Sequence, residues 1–495
     1  MNKLKRTLAL VATLAMATTA FASCGKDDSS SSKTDDSSVA ETTEAATDEA
    51  TEAEDETSAA EDETDAPAAS GTKSTEVGAI DASVKTGGDK FTVAAWNADD
   101  VPYLIAQWKG CTVEEVETLS DVDFISFGVG GGEASERYDQ LFASNADLDV
   151  YFAEADWALK YINDDSKTLA LDKLGFTDDN FAEIYGYTDE IGKDKNGVRK
   201  GVSWQAAAGG FAYRADLAEQ YLGVKSPEEM QAKIGTWDDF VTAAQTISDA
   251  SGKKTALADT LGGLWQAYAC GRTQPWVVDN KLVIDDFCQD FADTAKALWD
   301  CGGITKNNQW TDEWTGAAAK DDACMGYFVS TWGFGGFFKD AATPTKGQWA
   351  VCEGPQAFYW GGTWMVVNPA TDNGEEAQSF IKTFTVDNDS IKTYATTKPE
   401  YCNNGTVMDE LITANTVFNE EITSLFKDNQ NFYAELHENA KQINFNGLIT
   451  EYDATVKTNF IDAVKESYLE GGKSWEDTQE DFKDKVAEDL PDLEW

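Results

Sequence analysis

Between Gly25 and Asp89 the chain contains no aromatic residue, and all 16 of its tryptophans lie beyond that point. Over residues 25–76 there are 17 acidic residues and three lysines, set among Ser, Thr and Ala. A stretch of this kind cannot bury enough apolar surface to offset the entropy lost on ordering. Residues 25–87 are therefore expected to form a disordered acidic tether. A flexible chain of about 60 residues has an end-to-end distance of roughly 45 Å, and repulsion between carboxylates extends it further. Whatever fold the protein has must be built from the remaining 400 or so residues (88–495), which is too many for one ordinary core and suits two lobes.

The beginning of the chain carries a different signal. Lys3, Lys5 and Arg6 precede an apolar stretch from Thr7 to Phe21, which ends in Phe21-Ala22-Ser23-Cys24-Gly25. Basic residues, a short apolar run and small residues form the layout of a secretory signal. About 15 apolar residues are too few to cross a hydrocarbon core, which needs roughly 20. Small residues before a cysteine resemble the bacterial lipobox, so residues 1–24 are expected to be a lipoprotein signal peptide, with Cys24 lipidated and holding the protein outside the cell membrane. An ordinary cleavage nearby or an uncut anchor are the alternatives.

Of the formal charge of −50, residues 1–24 hold +3 and residues 25–76 hold −14, leaving −39 on residues 77–495. A field of that sign repels phosphates, and no basic stripe follows a nucleic-acid backbone, so nucleic acid is not an expected partner. Seven cysteines follow Cys24 without a Cys-x-x-Cys pair, and His437 is the only histidine. No metal site, triad or cofactor is expected from such a set. His437, between Glu435 and Glu438 in a polar helical pattern, reads as an exposed surface residue. The glycines from Gly128 to Gly132 lack the Lys-Ser/Thr that a phosphate loop requires.

In the folded region, apolar runs alternate with amphipathic helical patterns, which predicts α/β lobes with mainly parallel sheets. The first strand covers Phe91 to Trp96, the second Asp123 to Val129 and the third Leu148 to Phe152. Ala134 to Asn145 has helical spacing, with Tyr138, Leu141 and Phe142 on one face. Thr236 reads as a helix cap followed by carboxylates in the first turn.

The order of motifs then points to a family. Gly201-Val202-Ser203-Trp204-Gln205 leads to Gly209-Gly210-Phe211-Ala212-Tyr213-Arg214-Ala215-Asp216-Leu217 and Thr236-Trp237-Asp238-Asp239-Phe240. Farther on come Ala323-Cys324-Met325-Gly326-Tyr327-Phe328-Val329-Ser330-Thr331-Trp332, and then Gly361-Gly362-Thr363-Trp364-Met365-Val366-Val367 after Pro355. The helix from Ala377 to Phe384, Pro399 and the tail from Gly447 to Gln479 complete the pattern. This arrangement resembles the extracellular solute-binding proteins of carbohydrate ABC importers over nearly all of residues 88–495. Only the stretch from Leu261 to Trp314 does not align.

The resemblance implies an α/β, two-lobe periplasmic-binding-protein-like fold, with crossing hinge strands and a ligand cleft between the lobes. Lobe I would comprise 88–202 with about 355–425, and lobe II about 203–354 with 426–495. It implies a non-enzymatic, monomeric protein that captures an oligosaccharide by lobe closure and delivers it to permease subunits in the membrane. A sugar offers hydroxyls at its rim and C–H bonds on its faces, so the site needs carboxylates or amides together with flat aromatics. The positions that match the family's site are Asn97, Asp99, Glu154, Asp156, Trp157, Trp204, Gln205, Trp332, Trp360, Gly361 and Gly362, with weaker claims for Asp100, Trp96 and Trp364. Each competes with a bland reading as a core aromatic, a helix cap or a solvated carboxylate. Trp237 reads as structural, and Trp265, Trp276, Trp310 and Trp314 are candidates to wall one end of the cleft. A secreted glycoside hydrolase, a surface glycan-capture protein without a transporter, and the same fold binding a polyamine remain as alternatives.

Overall fold

The computed structural model describes residues 73–96, 100–398, 400–444 and 448–494. Cys24, Asn97, Asp99 and Pro399 lie outside the described residues, as do the signal peptide and most of the tether.

The chain first builds lobe I. Strands β1 (Phe91–Ala95), β2 (Val122–Ser126), β3 (Val150–Glu154) and β4 (Gly201–Ser203) form before it crosses to lobe II. There it makes β5 (Gly209–Arg214), β6 (Ala256–Ala258), a small hairpin of β7 (Val277–Val278) and β8 (Lys281–Leu282), β9 (Cys324–Ser330) and β10 (Trp349–Cys352). It then returns to lobe I as β11 (Thr363–Val367). The lobe I sheet has the order β2-β1-β3-β11-β4, and the lobe II sheet β10-β5-β9-β6.

Both faces of the lobe I sheet are covered, because successive strand residues point to opposite sides. Val93, Val150, Phe152, Met365 and Val367 join one apolar cluster, while Ala94, Tyr151, Ala153, Trp364 and Val366 join the other. The second cluster takes in Tyr138, from the helix Gly131–Ala143 that the sequence pattern predicts, and Tyr161. In lobe II, the helix Trp237–Ser251 begins at Thr236, whose side chain accepts a hydrogen bond from the Asp239 N–H. That is the predicted cap.

The sheets are less parallel than expected. β1 runs parallel to β2 and β3, and β6 to β9, but β11 is antiparallel to β3 and β4, and β5 is antiparallel to β9 and β10. A strand arriving directly from the other lobe enters its sheet without the helical crossover that parallel pairing requires. The crossing connections thus impose the antiparallel pairs.

Three segments make the junction between the lobes. Residues 204–208 follow β4, residues 353–362 precede β11, and residues 401–403 run alongside. Trp360 N–H donates to Ala207 C=O (3.0 Å), Gly209 N–H to Phe358 C=O (2.8 Å), Ala206 N–H to Tyr401 C=O (3.2 Å) and Asn403 N–H to Trp204 C=O (2.8 Å).

Residues 73–87, expected to belong to the tether, instead lie along lobe I. Ser74 N–H donates to Asp179 C=O and Gly78 N–H to Gly175 C=O (2.9 and 2.8 Å), while Val77, Ile80 and Val84 pack on the core. Lys73 pairs with Glu183 at 2.6 Å. Three apolar residues within eight positions were enough to dock this segment, although it contains no aromatic. His437 is also placed differently from its sequence reading. It is 3% exposed, and its ring links the buried Tyr185 and Tyr401 hydroxyls to the exposed carboxylate of Asp409. Partners brought from elsewhere in the chain satisfy it, which a local polar pattern does not reveal. The seven described cysteines are all free thiols, and all but Cys111 are buried. Among the described residues, no helix is long and apolar enough to cross a membrane.

Candidate functional site

Between the lobes, beside the 353–362 crossing, lies a small cavity of about 50 Å³ that opens to solvent. Asp156 from lobe I, Tyr359 and Gly361 from the crossing, and Trp265, Arg272, Asp453 and Lys457 from lobe II line it. β3 ends at Glu154, which places the following loop at the cleft. The helix Asp453–Ala463 carries both Asp453 and Lys457, one turn apart and therefore on the same face.

The charges in this cavity are matched. Lys457 forms an ion pair with Asp156 across the cleft. Arg272 Nη1 donates to Asp453 Oδ2 (3.1 Å) and Nη2 to Leu448 C=O (2.9 Å), with the guanidinium lying over the Trp276 ring. Burial raises the Asp453 carboxyl, and Arg272 opposes that. Glu154 Oε2 accepts from the Asp156 N–H (2.9 Å). Burial, then the neighbouring Asp156 carboxylate, push the Glu154 carboxyl up to about 8, with Lys457 opposing. At neutral pH Glu154 is thus largely a neutral acid that can donate as well as accept.

An aromatic wall adjoins this polar cavity at Gly361. That residue has φ +70, and a Cβ built on it would lie 3.2 Å from Trp332 Nε1 and 3.6 Å from Glu154 Oε1. A side chain there would be strained and would fill the gap between ring and carboxyl. Trp332 Nε1 donates to Trp360 C=O (2.7 Å), and the two rings meet edge to face at 5.1 Å. Trp310 lies nearly parallel to Trp332, at 6.2 Å and 17°.

Of the residues expected from sequence, the structure thus brings Glu154, Asp156, Trp332, Trp360 and Gly361 together at one cleft. Others stand apart from it. Trp204 is 1% exposed in the lobe I core, edge-on to Phe152 at 5.3 Å, with Nε1 donating to Tyr394 Oη. Trp157 is buried under the β3 loop, its Nε1 donating to Gly131 C=O (3.0 Å) and its ring against Trp96. Trp364 is a core residue bonded to Thr188 C=O. Gly362 is buried where the Ala155 N–H reaches its carbonyl. Trp237 packs against Tyr268 and Phe240, and Trp276 and Trp314 are buried within lobe II.

Gln205 is buried, and its Nε2 donates to Glu400 Oε2 (3.3 Å). Thr331 Oγ1, at the start of the turn that carries Trp332, donates to Glu400 Oε1 (3.2 Å). Glu400 therefore ties the junction to lobe II. Burial and the Asp100 carboxylate push its carboxyl up to about 8, against Lys398. Sequence reasoning missed Glu400, Arg272, Tyr359, Asp453 and Lys457. Arg272 lies in the unaligned stretch, while the helical spacing around Lys457 marked an element and not a site.

The pattern common to the bacterial extracellular solute-binding proteins matches residues 113–415. The chain belongs to this family. Solved structures share its two-lobe fold, that of the periplasmic binding proteins. The sugar-binding protein MalE from Xanthomonas citri is 13% identical, with a TM-score of 0.61, and the match covers 81% of this chain and 97% of that one. The galacto-N-biose/lacto-N-biose I-binding protein from Bifidobacterium longum, solved with lacto-N-biose, is 15% identical at a TM-score of 0.61, covering 82% and 98%. The GacH receptor of Streptomyces glaucescens, solved without ligand and with acarbose, is 18% identical at a TM-score of 0.58, covering 82% and 100%. No curated protein sequence matches the chain.

Proposed function

We propose that this solute-binding protein is the lipid-anchored substrate-binding subunit of an ABC importer. It captures a neutral oligosaccharide by lobe closure and hands it to a membrane permease. The observation that carries this reading is the junction at Gly361 of an aromatic wall, Trp332 with Trp360, and a polar cavity whose carboxylates are matched by Arg272 and Lys457. The rings suit the C–H faces of a pyranose and the polar groups its hydroxyl rim. Matched charge favours a ligand without charge of its own over a polyamine, which would need unpaired carboxylates. Lipidation at Cys24 and the acidic segment after it would keep the cleft near its permease, with the ligand contacting both lobes and holding them closed.

Calorimetric titration with neutral oligosaccharides, uronic-acid oligosaccharides and polyamines tests the cargo. Binding of neutral sugars in the micromolar range is expected, and binding of polyamines alone would overturn it. Hydrolysis of any bound sugar, followed by product analysis, would replace the binding reading with an enzymatic one. Loss of sugar uptake on deletion of the gene distinguishes an importer subunit from a glycan-capture protein. Release of a Cys24→Ala variant into the medium tests the anchor.

A further inference from the structure

Trp310 is 63% exposed, whereas the other described tryptophans are buried or partly buried. Its backbone has φ +65, a left-handed conformation that is uncommon for a bulky aromatic and carries a conformational cost. Neither the exposure nor the backbone stabilises the fold.

The segment around Trp310 is nevertheless firmly held. On one side Thr305 N–H donates to Asp259 C=O (2.7 Å), and Lys465 Nζ donates to Asn308 Oδ1 (2.7 Å). On the other, Thr311 caps the helix Asp312–Gly316, and Trp314 Nε1 donates to the buried Asp259 Oδ2 (2.7 Å). Between these flanks the ring packs against the cleft aromatics, near-parallel to Trp332 and 5.8 Å from Trp360.

We propose that Trp310 is a specificity-determining residue that supplies an outer stacking face for a further sugar unit of an oligosaccharide leaving the cleft past Trp332. The inference rests on the carbohydrate reading above and deepens it, since the outer face contributes only to ligands long enough to reach it. A large exposed aromatic at the edge of an aromatic patch marks a binding surface. A ring already packed against Trp314, Trp332 and Trp360 loses little side-chain entropy when a ligand covers it.

The test is calorimetry with malto-, cello-, xylo- and galacto-oligosaccharides of two to six units, on the wild type, Trp310→Ala and Trp310→Tyr. In the series that the wild type binds best, Trp310→Ala is expected to weaken the longest ligands by about 10- to 30-fold, as for one ring-sized apolar contact. The disaccharide should change by less than about threefold, and Trp310→Tyr should restore most of the length dependence. An equal loss at every length, or no loss at any, overturns the outer-subsite inference while leaving the carbohydrate reading intact. Failure of the wild type to bind any of these sugars removes that reading, and this subsite with it. Wild-type-like thermal midpoints in both variants show that the comparison is between folded proteins.

Discussion

Lys457 of lobe II reaches across the cleft to pair with Asp156 of lobe I, linking two residues 301 positions apart in the sequence. The Glu154 and Asp156 carboxyls sit together on the lobe I side, and Lys457 is the cation that compensates the charge of Asp156. This pair ties the two lobes together across the cleft.

Lys457→Ala is therefore expected to favour an open arrangement. The pair is partly exposed, with Lys457 at 20% and Asp156 at 45%, so its loss should weaken ligand binding by only about two- to fivefold. Small-angle scattering of the unliganded variant should show a larger radius of gyration. Unchanged scattering and affinity would refute a role in closure.

Trp332→Ala removes the proposed stacking face together with the hydrogen bond to Trp360 C=O. Oligosaccharide affinity should fall by about 10- to 30-fold, while the thermal midpoint moves by only a few degrees. A variant that binds sugar as tightly as the wild type would take Trp332 out of the site.

Glu400 and Glu154 make stability depend on pH. Each has a carboxyl at about 8 in the folded protein against 4.5 as the reference value, so the folded state holds protons that the unfolded state releases. Their contribution is complete below pH 4.5 and is lost as pH rises towards 8. Thermal melts across this window should show the midpoint falling with pH. Glu400→Gln should flatten but not abolish the trend, because Glu154 remains, and an unaltered slope would contradict the assignment.

His437→Ala should cost about 2–4 kcal/mol in urea unfolding, since it strands buried polar partners. Nε2 donates to Asp409 Oδ1 at 2.6 Å, which leaves the one Nδ1 lone pair to accept from the Tyr401 hydroxyl at 2.5 Å, while the Tyr185 hydroxyl donates to Tyr401 Oη at 2.6 Å. A loss below about 0.5 kcal/mol, usual for a surface change, would return His437 to the solvent-exposed role its sequence context suggests.

Thiol titration of the native protein should label Cys111 alone among the seven described cysteines, with all seven reacting after denaturation. Labelling of two or more in the native state, or fewer than seven reactive thiols in denaturant without reductant, would contradict the buried, unpaired arrangement.

Local pattern was readable where the physics is local. The apolar runs at Phe91 and Val150 and the Thr236 cap each depend on neighbouring residues, and each lies within two residues of its expected place. The motifs around Trp204 and Gly361 located the crossings through their resemblance to the solute-binding family. What did not follow was the fate of each tryptophan. Trp204 and Trp332 both adjoin strand ends, yet one is sealed beneath Tyr394 while the other faces the cleft.

By itself, the sequence determined that the first strand begins near residue 91 and that strands and helices alternate after it, while it left residues 73–87, which dock on lobe I, in the tether. Hydrophobic periodicity and turn chemistry act over a few residues, so they can be read from the chain alone. Tertiary structure decided which carboxylates are compensated, by Arg272 and Lys457, and which aromatic rings remain open to a ligand. Those outcomes depend on segments hundreds of residues apart meeting across the cleft, where burial and Coulomb interaction follow distance in space and not separation along the chain.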